Sequence, residues 1–442
     1  MIMKKIISTL LSLVLVIGML PIMASADEVT PAWDGTAAES FAGGAGTKSD
    51  PWQIETAAQL KLASDTVNGS HKERYFILNN DIDYENNQWA PIGYSTTNNS
   101  VFFTGGFDGN QHVIRNVKLD YSYDDFAAVT GKPVYVYCGF FGFAKDVTIT
   151  DLGIENFHMT ISNPGGTGSG NYRAKYIGGF ADALRGAVNV SGCYIKNVSV
   201  RQVSRWNNET CLGGFVGFIQ SESNKTVSIT NCYAYNLSYC ASVRKAVGGF
   251  VGILNNDGGD LTNCYIANVT EAISSDSAST VFGFGHTGSD SRAPGTITNC
   301  YSTITSAVGK DSQPATYSTT RDFGVSGASL NTIATNFNNL ANWQDGTYIN
   351  GGFPALAWEK VPIEVKDFAD GAVTLEVNKA IDGAKVYVAA YDGTTGRLIS
   401  ADVADVATTV PVNVTTTGAT IVKVFVWDAD LTPLADAISK PL

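Results

Sequence analysis

Gly214-Phe215-Val216-Gly217, followed by Asn231-Cys232-Tyr233, returns almost unchanged as Gly249-Phe250-Val251-Gly252 and Asn263-Cys264-Tyr265. Looser copies of the first element stand at Gly139-Phe140-Phe141-Gly142, Gly179-Phe180 and Gly283-Phe284-Gly285. Copies of the second stand at Gly192-Cys193-Tyr194 and Asn299-Cys300-Tyr301. From Gly179 onward the glycines recur at intervals of 35, 35 and 34 residues. A fixed period of this size predicts a stacked solenoid, in which each unit buries its apolar face only against its neighbours.

With the cysteine of each Cys-Tyr pair as position zero, Val190, Ile229, Leu261 and Ile297 lie three residues before it. Asn197, Asn236 and Asn268 lie four after it, and Val198, Leu237 and Val269 five after. Two earlier units fit the same frame, one with Ile149, Leu152, Asn156 and Phe157, the other with Ile114, Asn116 and Val117. Position zero then reads Val117, Leu152, Cys193, Cys232, Cys264, Cys300. A slot that takes valine, leucine or cysteine is a buried apolar slot, in which a thiol behaves as a small hydrophobe. Alternating short strands such as Thr226 to Ile229, with asparagine columns where the coil must turn, predict a right-handed parallel β-helix. The cysteine column has no Cys-x-x-Cys or neighbouring histidine to supply a second ligand pair, so no metal site and no cofactor is expected.

The ends of the stack are also readable. Thr56 before Ala57, Leu60 and Ala63 predicts a short capped helix over the first coil. Gly351-Gly352-Phe353-Pro354-Ala355-Leu356-Ala357-Trp358 reads as the closing edge. From about Val361 the pattern changes to period-two strands, Val373 to Val377, Lys385 to Tyr391, Val410 to Val414 and Ile421 to Trp427, broken by turns such as Asp392-Gly393. These predict a small immunoglobulin-like β-sandwich over residues 361–442, after a solenoid over 27–360.

Residues 1–26 read as a secretory signal: Lys4 and Lys5, an apolar run from Ile6 to Met23, then Ala24-Ser25-Ala26. No second apolar run is long enough to span a bilayer, so an exported mature chain without a transmembrane segment is expected. Loss of the two leader lysines moves the formal charge from −12 to −14, which favours solubility and disfavours nucleic acid. Seven cysteines cannot all pair within one chain. The chain has no cysteine before Cys138 for lipoprotein attachment and no sortase-type signal near Leu442, so release from the cell or an unrecognised mode of retention is expected.

These residues resemble the GLUG-repeat proteins that many bacteria secrete or display. The match covers about residues 43 to 358. It is carried by Gly46-Thr47-Lys48-Ser49-Asp50-Pro51-Trp52-Gln53-Ile54, Asn80-Asp81-Ile82-Asp83, Trp89-Ala90-Pro91-Ile92-Gly93, Phe107-Asp108-Gly109-Asn110 and the Gly-Phe-Val-Gly units. Gln111 departs from a glycine that is usual in the family, and Gly-Phe replaces Gly-Leu. The tail, with Val388-Ala389-Ala390-Tyr391 and Val424-Phe425-Val426-Trp427-Asp428, looks like a C-terminal module of clostridial exported proteins. The resemblance implies extracellular adhesion or display, and it transfers no catalytic residue.

β-helices also carry polysaccharide lyases and hydrolases, which need converging carboxylates or a base beside a cation. Asp81, Asp83 and Asp108 come nearest to such a cluster, and structural roles at a strand end and a turn account for all three. His71, His112, His158 and His286 share no repeat position, so no paired-histidine metal site is expected. Charge is more informative. Between Asn171 and Lys245 stand nine bases, Arg173, Lys175, Arg185, Lys196, Arg201, Arg205, Lys225, Arg244 and Lys245, against Asp182, Glu209 and Glu222. Arg205 and Arg244 each lie twelve residues after their cysteine, which would make them neighbours on adjacent coils. This belt suits the carboxylates or sulfates of an anionic glycan, and the competing reading is a solvated face that balances nearby acids. In the last domain Tyr387, Tyr391, Phe425 and Trp427 share one face, which fits either sugar stacking or the second half of a sandwich core.

The sequence therefore predicts a non-catalytic adhesion or glycan-interaction protein, extracellular, with Arg201, Arg205, Arg244, Lys245, Tyr387 and Trp427 as candidate contacts. A β-helix polysaccharide-degrading enzyme and a purely structural spacer are the alternatives.

Overall fold

The computed structural model describes residues 33–442 except 70–71, 95–101, 122–133, 162–171, 203–210, 223, 242–245, 255–258, 274–279, 288–294, 306–321, 348, 362, 378–382, 429–432 and 436. The expected leader, residues 1–26, lies outside that range. Two compact units form: Ala32–Asp345 with Phe353–Trp358, and Glu359–Leu442 with Gly346–Gly352.

The first unit is a parallel β-helix. Its widest sheet stacks Trp52–Ile54, Tyr75–Leu78, Gly106–Tyr121, Thr148–Ile161, Val188–Ser191, Val227–Ala241, Asp260–Ile273 and Ile297–Ser302 in that order, with Tyr194–Gln202 continuing the Val188–Ser191 coil. A second sheet holds Val134–Cys138, Tyr172–Gly178, Cys211–Gly213, Ala246–Gly248 and Thr280–Phe282. A third holds Phe141–Lys145, Ala181–Arg185, Val216–Gln220, Val251–Leu254 and Gly285–Thr287. The repeat sets the register: Cys232 lies opposite Cys264, which lies opposite Cys300, and Val216 lies opposite Val251.

The long strands bend at two asparagine columns. Asn231, Asn263 and Asn299 have φ of 52°, 52° and 53°, and Asn197, Asn236 and Asn268 have 53°, 57° and 55°. Asparagine tolerates this left-handed region better than other residues with a side chain. Each bend then leaves its amide free to bond along the stack. Asn156 donates to Asn116 at 3.0 Å, Asn197 to Asn156 at 3.1 Å, Asn236 to Asn197 at 2.6 Å and Asn268 to Asn236 at 3.1 Å. The other column is bonded in the same way, Asn263 to Asn231 at 3.0 Å and Asn299 to Asn263 at 2.9 Å.

Leu152, Cys193, Cys232, Cys264 and Cys300 form one dry file, each 0–2% exposed. Val117 is buried but does not belong to it. His112 is the residue opposite Leu152, and Val117 lies opposite Phe157, in the file five positions on with Val198, Leu237 and Val269. Asn116 accordingly heads the later asparagine column. The reason is a bulge. Asp108 pairs with Thr150 and His112 with Leu152, and the extra residues include Asn110 and Gln111, at φ of 49° and 66°.

Each file thiol donates to the carbonyl two residues earlier, Cys193 to Ser191 and Cys232 to Thr230 at 3.3 Å, Cys264 to Thr262 and Cys300 to Thr298 at 3.4 Å. Burial pushes the Cys232 and Cys300 thiols well above their ordinary range, so thiolate chemistry is suppressed. All five cysteines with described side chains, Cys138 included, are buried. Of the seven thiols in the chain, at most two should therefore react quickly with an aromatic disulfide reagent under native conditions, and all seven after denaturation. Rapid titration of more than two would contradict the buried file.

The N-terminal helix, Ala57–Gly69, is capped as its sequence predicts. Thr56 Oγ1 accepts from the Gln59 amide at 3.3 Å, and Gln59 Oε1 accepts from the Glu55 amide at 2.8 Å. Leu60, Ala63 and Val67 join the solenoid core beneath it. The C-terminal end differs from expectation. Asp322–Phe323 runs antiparallel to Gly285–Thr287 and Val325 bridges to Tyr301, which finishes the stack. Ala355–Leu356 instead pairs with Trp343–Gln344, and this segment lies over the outward tyrosines of the Cys-Tyr repeats. Those rings stack, Tyr194 on Tyr233 at 5.1 Å and Tyr233 on Tyr265 at 5.0 Å. Trp343 Nε1 donates to Asn231 Oδ1 at 3.2 Å, Trp358 Nε1 to the Gly192 carbonyl at 3.3 Å, and the Tyr265 hydroxyl to the Pro354 carbonyl. An aromatic column left open by the repeats is thus covered by the chain's own later residues.

The second unit is a small sandwich of antiparallel sheets. Ile363–Ala369, Ala372–Val377 and Thr409–Pro411 form one, and Arg397–Asp405, Lys385–Asp392, Ile421–Trp427 and Ile438–Pro441 the other. Val373 and Leu375 face Val386, Val388, Val422, Val424 and Val426 across a core without cysteine. Period-two patterning found four of these strands. Ile363–Ala369, Arg397–Asp405 and Ile438–Pro441 escaped it, since their outer positions are mostly polar or half-exposed.

Candidate anion-binding face

Ion pairing sorts the basic belt. Arg185 Nε lies 2.7 Å and Lys145 Nζ 3.1 Å from Glu222 Oε1, and Lys225 Nζ lies 2.9 Å from Asp146. The Lys145 contact with Glu222 holds that carboxyl below its ordinary range. Lys196, largely buried, lies over the Tyr194 ring at 4.5 Å and 3.8 Å from Glu155. Arg185, Lys196 and Lys225 of the belt thus balance nearby acids, as does Lys145 outside it.

Arg201 is different. It ends the outward face of Tyr194–Gln202, is exposed, and makes no ion pair among the described residues. Its partners on the neighbouring coils are Thr160 and Cys240. Arg205, Arg244 and Lys245 lie outside the described residues, as do the side chains of Arg173 and Lys175. The strands that flank them are in register on adjacent coils: Arg201 opposite Cys240 before them, Cys211 opposite Ala246 after.

The carboxylates that an enzyme would use are engaged. Asp81 lies 3.1 Å from His112 Nδ1 and 3.0 Å from Arg115 and accepts from the Val113 amide at 3.0 Å. Burial raises its carboxyl, but the Arg115 charge and these hydrogen bonds outweigh that and hold it below its ordinary value. Asp83 accepts the Asn116 amide at 2.9 Å, at the head of the asparagine column. Asp108 accepts from the Asn110 amide at 2.8 Å and from Thr150 at 3.3 Å. Arg115 also reaches Glu155 at 3.4 Å, and Glu155 accepts from the Tyr194 hydroxyl at 2.7 Å. His158 Nδ1 lies 2.8 Å from Ser199 Oγ on the next coil. His71 and the side chain of His286 lie outside the described residues. Among the described residues no group of three or more His, Cys, Asp or Glu side chains is placed to hold a metal ion.

One acid enters the sequence reading only as a charge within the belt. Asp182 fills the slot held by Gly142, Gly217 and Gly252 in other copies, and is 1% exposed. Its Oδ1 accepts from the Cys138 amide at 3.3 Å, and burial pushes its carboxyl well above the ordinary value of 3.8. Position four of the repeat, read for composition, was the available signal. The neutral acid binds a proton that the unfolded chain releases near pH 3.8. The contribution of Asp182 to stability should be greatest below that value and fall, by up to about 1.4 kcal/mol per pH unit, as the pH rises toward its folded-state value. Asp182→Asn should flatten this trend, which denaturant melts across pH 5 to 8 would measure. An unchanged slope would contradict the assignment.

In the sandwich, Tyr391, Phe425 and Trp427 cluster on the sheet face turned away from the valine core, with Tyr387 half-buried beside them. They do not supply the second half of the core. Trp427 is only 6% exposed, which leaves Tyr387 as the more accessible ring of the candidate pair.

No family profile matches the chain. A 198-residue stretch is 26% identical to Halomucin of Haloquadratum walsbyi (strain DSM 16790 / HBSQ001), a match that takes in 43% of this chain. The chain spans about 2% of the length of that curated relative. Among the described residues no helix is long and apolar enough to cross a membrane.

Proposed function

We propose that this protein works outside the cell as a non-catalytic adhesion or glycan-interaction protein, in which Arg201, together with Arg205, Arg244 and Lys245, holds an anionic polymer. The observation that carries the reading is the exposed Arg201, unneutralised among the described residues, whereas the other belt bases with described side chains are paired. Guanidinium groups bind carboxylate and sulfate oxygens through directed, charge-assisted hydrogen bonds. The binding reading also accords with the engagement of Asp81, Asp83 and Asp108 in turns, ladders and ion pairs. The GLUG-type resemblance, the clostridial-type C-terminal module and the leader-like N-terminus support export and display. The likeness to Halomucin, over one stretch of a far larger protein, supports an extracellular location.

Dextran sulfate and polygalacturonate, with neutral dextran as control, test this. The mature protein should retain both anionic polymers, and binding should weaken steeply as salt is raised. Arg201→Ala should weaken binding by about twofold to fivefold, the range of one exposed charge contact. Retention indifferent to salt and to Arg201, or release of oligosaccharides lost on mutation of one carboxylate, would overturn the reading.

A further inference from the structure

His158 and Ser199 face outward on neighbouring strands, directly opposite each other, and Thr160 and Arg201 are the next outward pair on the same two strands. Their spacing follows from strand geometry, about 4.8 Å between coils and about 6.6 Å between alternate residues along a strand. His158 and Arg201 are therefore diagonal neighbours about 8 Å apart at their Cα atoms, and both are exposed. The His158 ring meets the Ser199 hydroxyl at 2.8 Å, which leaves its other nitrogen directed elsewhere.

The charges facing this ring come from both flanking strands. On one side Lys118 is opposite His158, and its ammonium is held by Asp120 at 2.7 Å. On the other side Arg201 stands on the strand of Ser199. No described carboxylate pairs with His158 or with Arg201, so a proton on the ring adds positive charge beside the Arg201 guanidinium. An anion bound at Arg201 removes that repulsion.

We infer that His158 and Arg201 form one anion-binding site on adjacent coils, in which protonation of His158 strengthens the hold on a sulfated or uronate-bearing glycan. This rests on the reading of Arg201 as a glycan contact and adds its second residue and its regulation. Imidazole side chains gain charge as the pH falls from about 8 toward 5. Bound anion and bound proton then favour each other reciprocally, because each lowers the electrostatic cost of the other.

Dextran sulfate is the suitable probe, since its sulfate esters stay ionised throughout this range. Binding to the full mature chain should tighten between about twofold and fivefold from pH 8 to pH 5.5, the gain of one exposed charge contact. His158→Gln, an exposed substitution, should remove that His158-specific increment; the change that remains in H158Q reports every other titrating group. His112→Gln, in the ion pair with Asp81 on the preceding coil, should keep the full pH response. If H158Q tightens as much as the wild type while Arg201→Ala still weakens binding, the inference falls and the Arg201 reading stands. If the wild type fails to bind dextran sulfate at either pH, both fall.

Discussion

Gly213→Ala should leave the chain without a stably folded solenoid. A Cβ at Gly213 would stand 2.0 Å from the Val216 carbonyl oxygen and 2.3 Å from the Gly252 amide nitrogen. Both obstacles are backbone atoms, so no side-chain rotation relieves the contact. One belongs to the same coil and the other to the next, and a local shift would break the pairing of Leu212 with Val247 and of Val216 with Val251. The expected loss exceeds about 4 kcal/mol, the range reached only by a few mechanisms such as overpacking and imposed strain. Gly69→Ala, where an added Cβ meets nothing within 4 Å, is the matched control and should change little. Denaturant melts followed by far-ultraviolet dichroism would compare the two. A cooperative, wild-type transition in G213A would contradict the tight corner.

The second large effect is expected at Phe215, the centre of a column in which Phe180, Phe215, Phe250 and Phe284 stack at 4.5, 4.7 and 5.0 Å with nearly parallel rings. The ring is fully buried. Phe215→Ala removes its transfer term, leaves a cavity between two coils and interrupts the column, which together should cost about 3–5 kcal/mol. Phe215→Leu keeps most of the volume and should chiefly lose the aromatic pairing, about 0.5–1.5 kcal/mol. Leucine is also the residue that the resembling repeats usually carry. The denaturant midpoint should fall in that order, with the slope of the transition unchanged. Equal losses for the two variants would show that the column contributes volume alone.

Legibility from the sequence follows the range of the contacts involved. The Cys-Tyr file, the asparagine ladders and the capped first helix depend on neighbouring residues or on the repeat period, and all were readable. Val117 was misplaced because Asn110 and Gln111 lengthen one coil without interrupting its apolar alternation. The role of residues 353–358 was hidden because their partners are remote: Trp358 bonds to Gly192, and Trp343 to Asn231. The basic belt presented the same difficulty. Arg185 and Glu222, or Lys225 and Asp146, are brought together by coil stacking across stretches in which no local pattern links them. Counting charges along the segment therefore overstates the number of available bases, and only the pairing separates the candidate Arg201 from the engaged Arg185, Lys196 and Lys225. The burial of Asp182 is not legible because a single polar residue in a glycine slot hardly disturbs the repeat.

The central claim is that Cys193, Cys232, Cys264 and Cys300 occupy one position on four successive coils. Sulfur anomalous diffraction from crystals of the protein measures this directly. Four peaks should fall nearly in line at a spacing of about 4.8 Å, the distance between adjacent strands. Scattered sulfur positions, or pairs at disulfide separation, would contradict the solenoid.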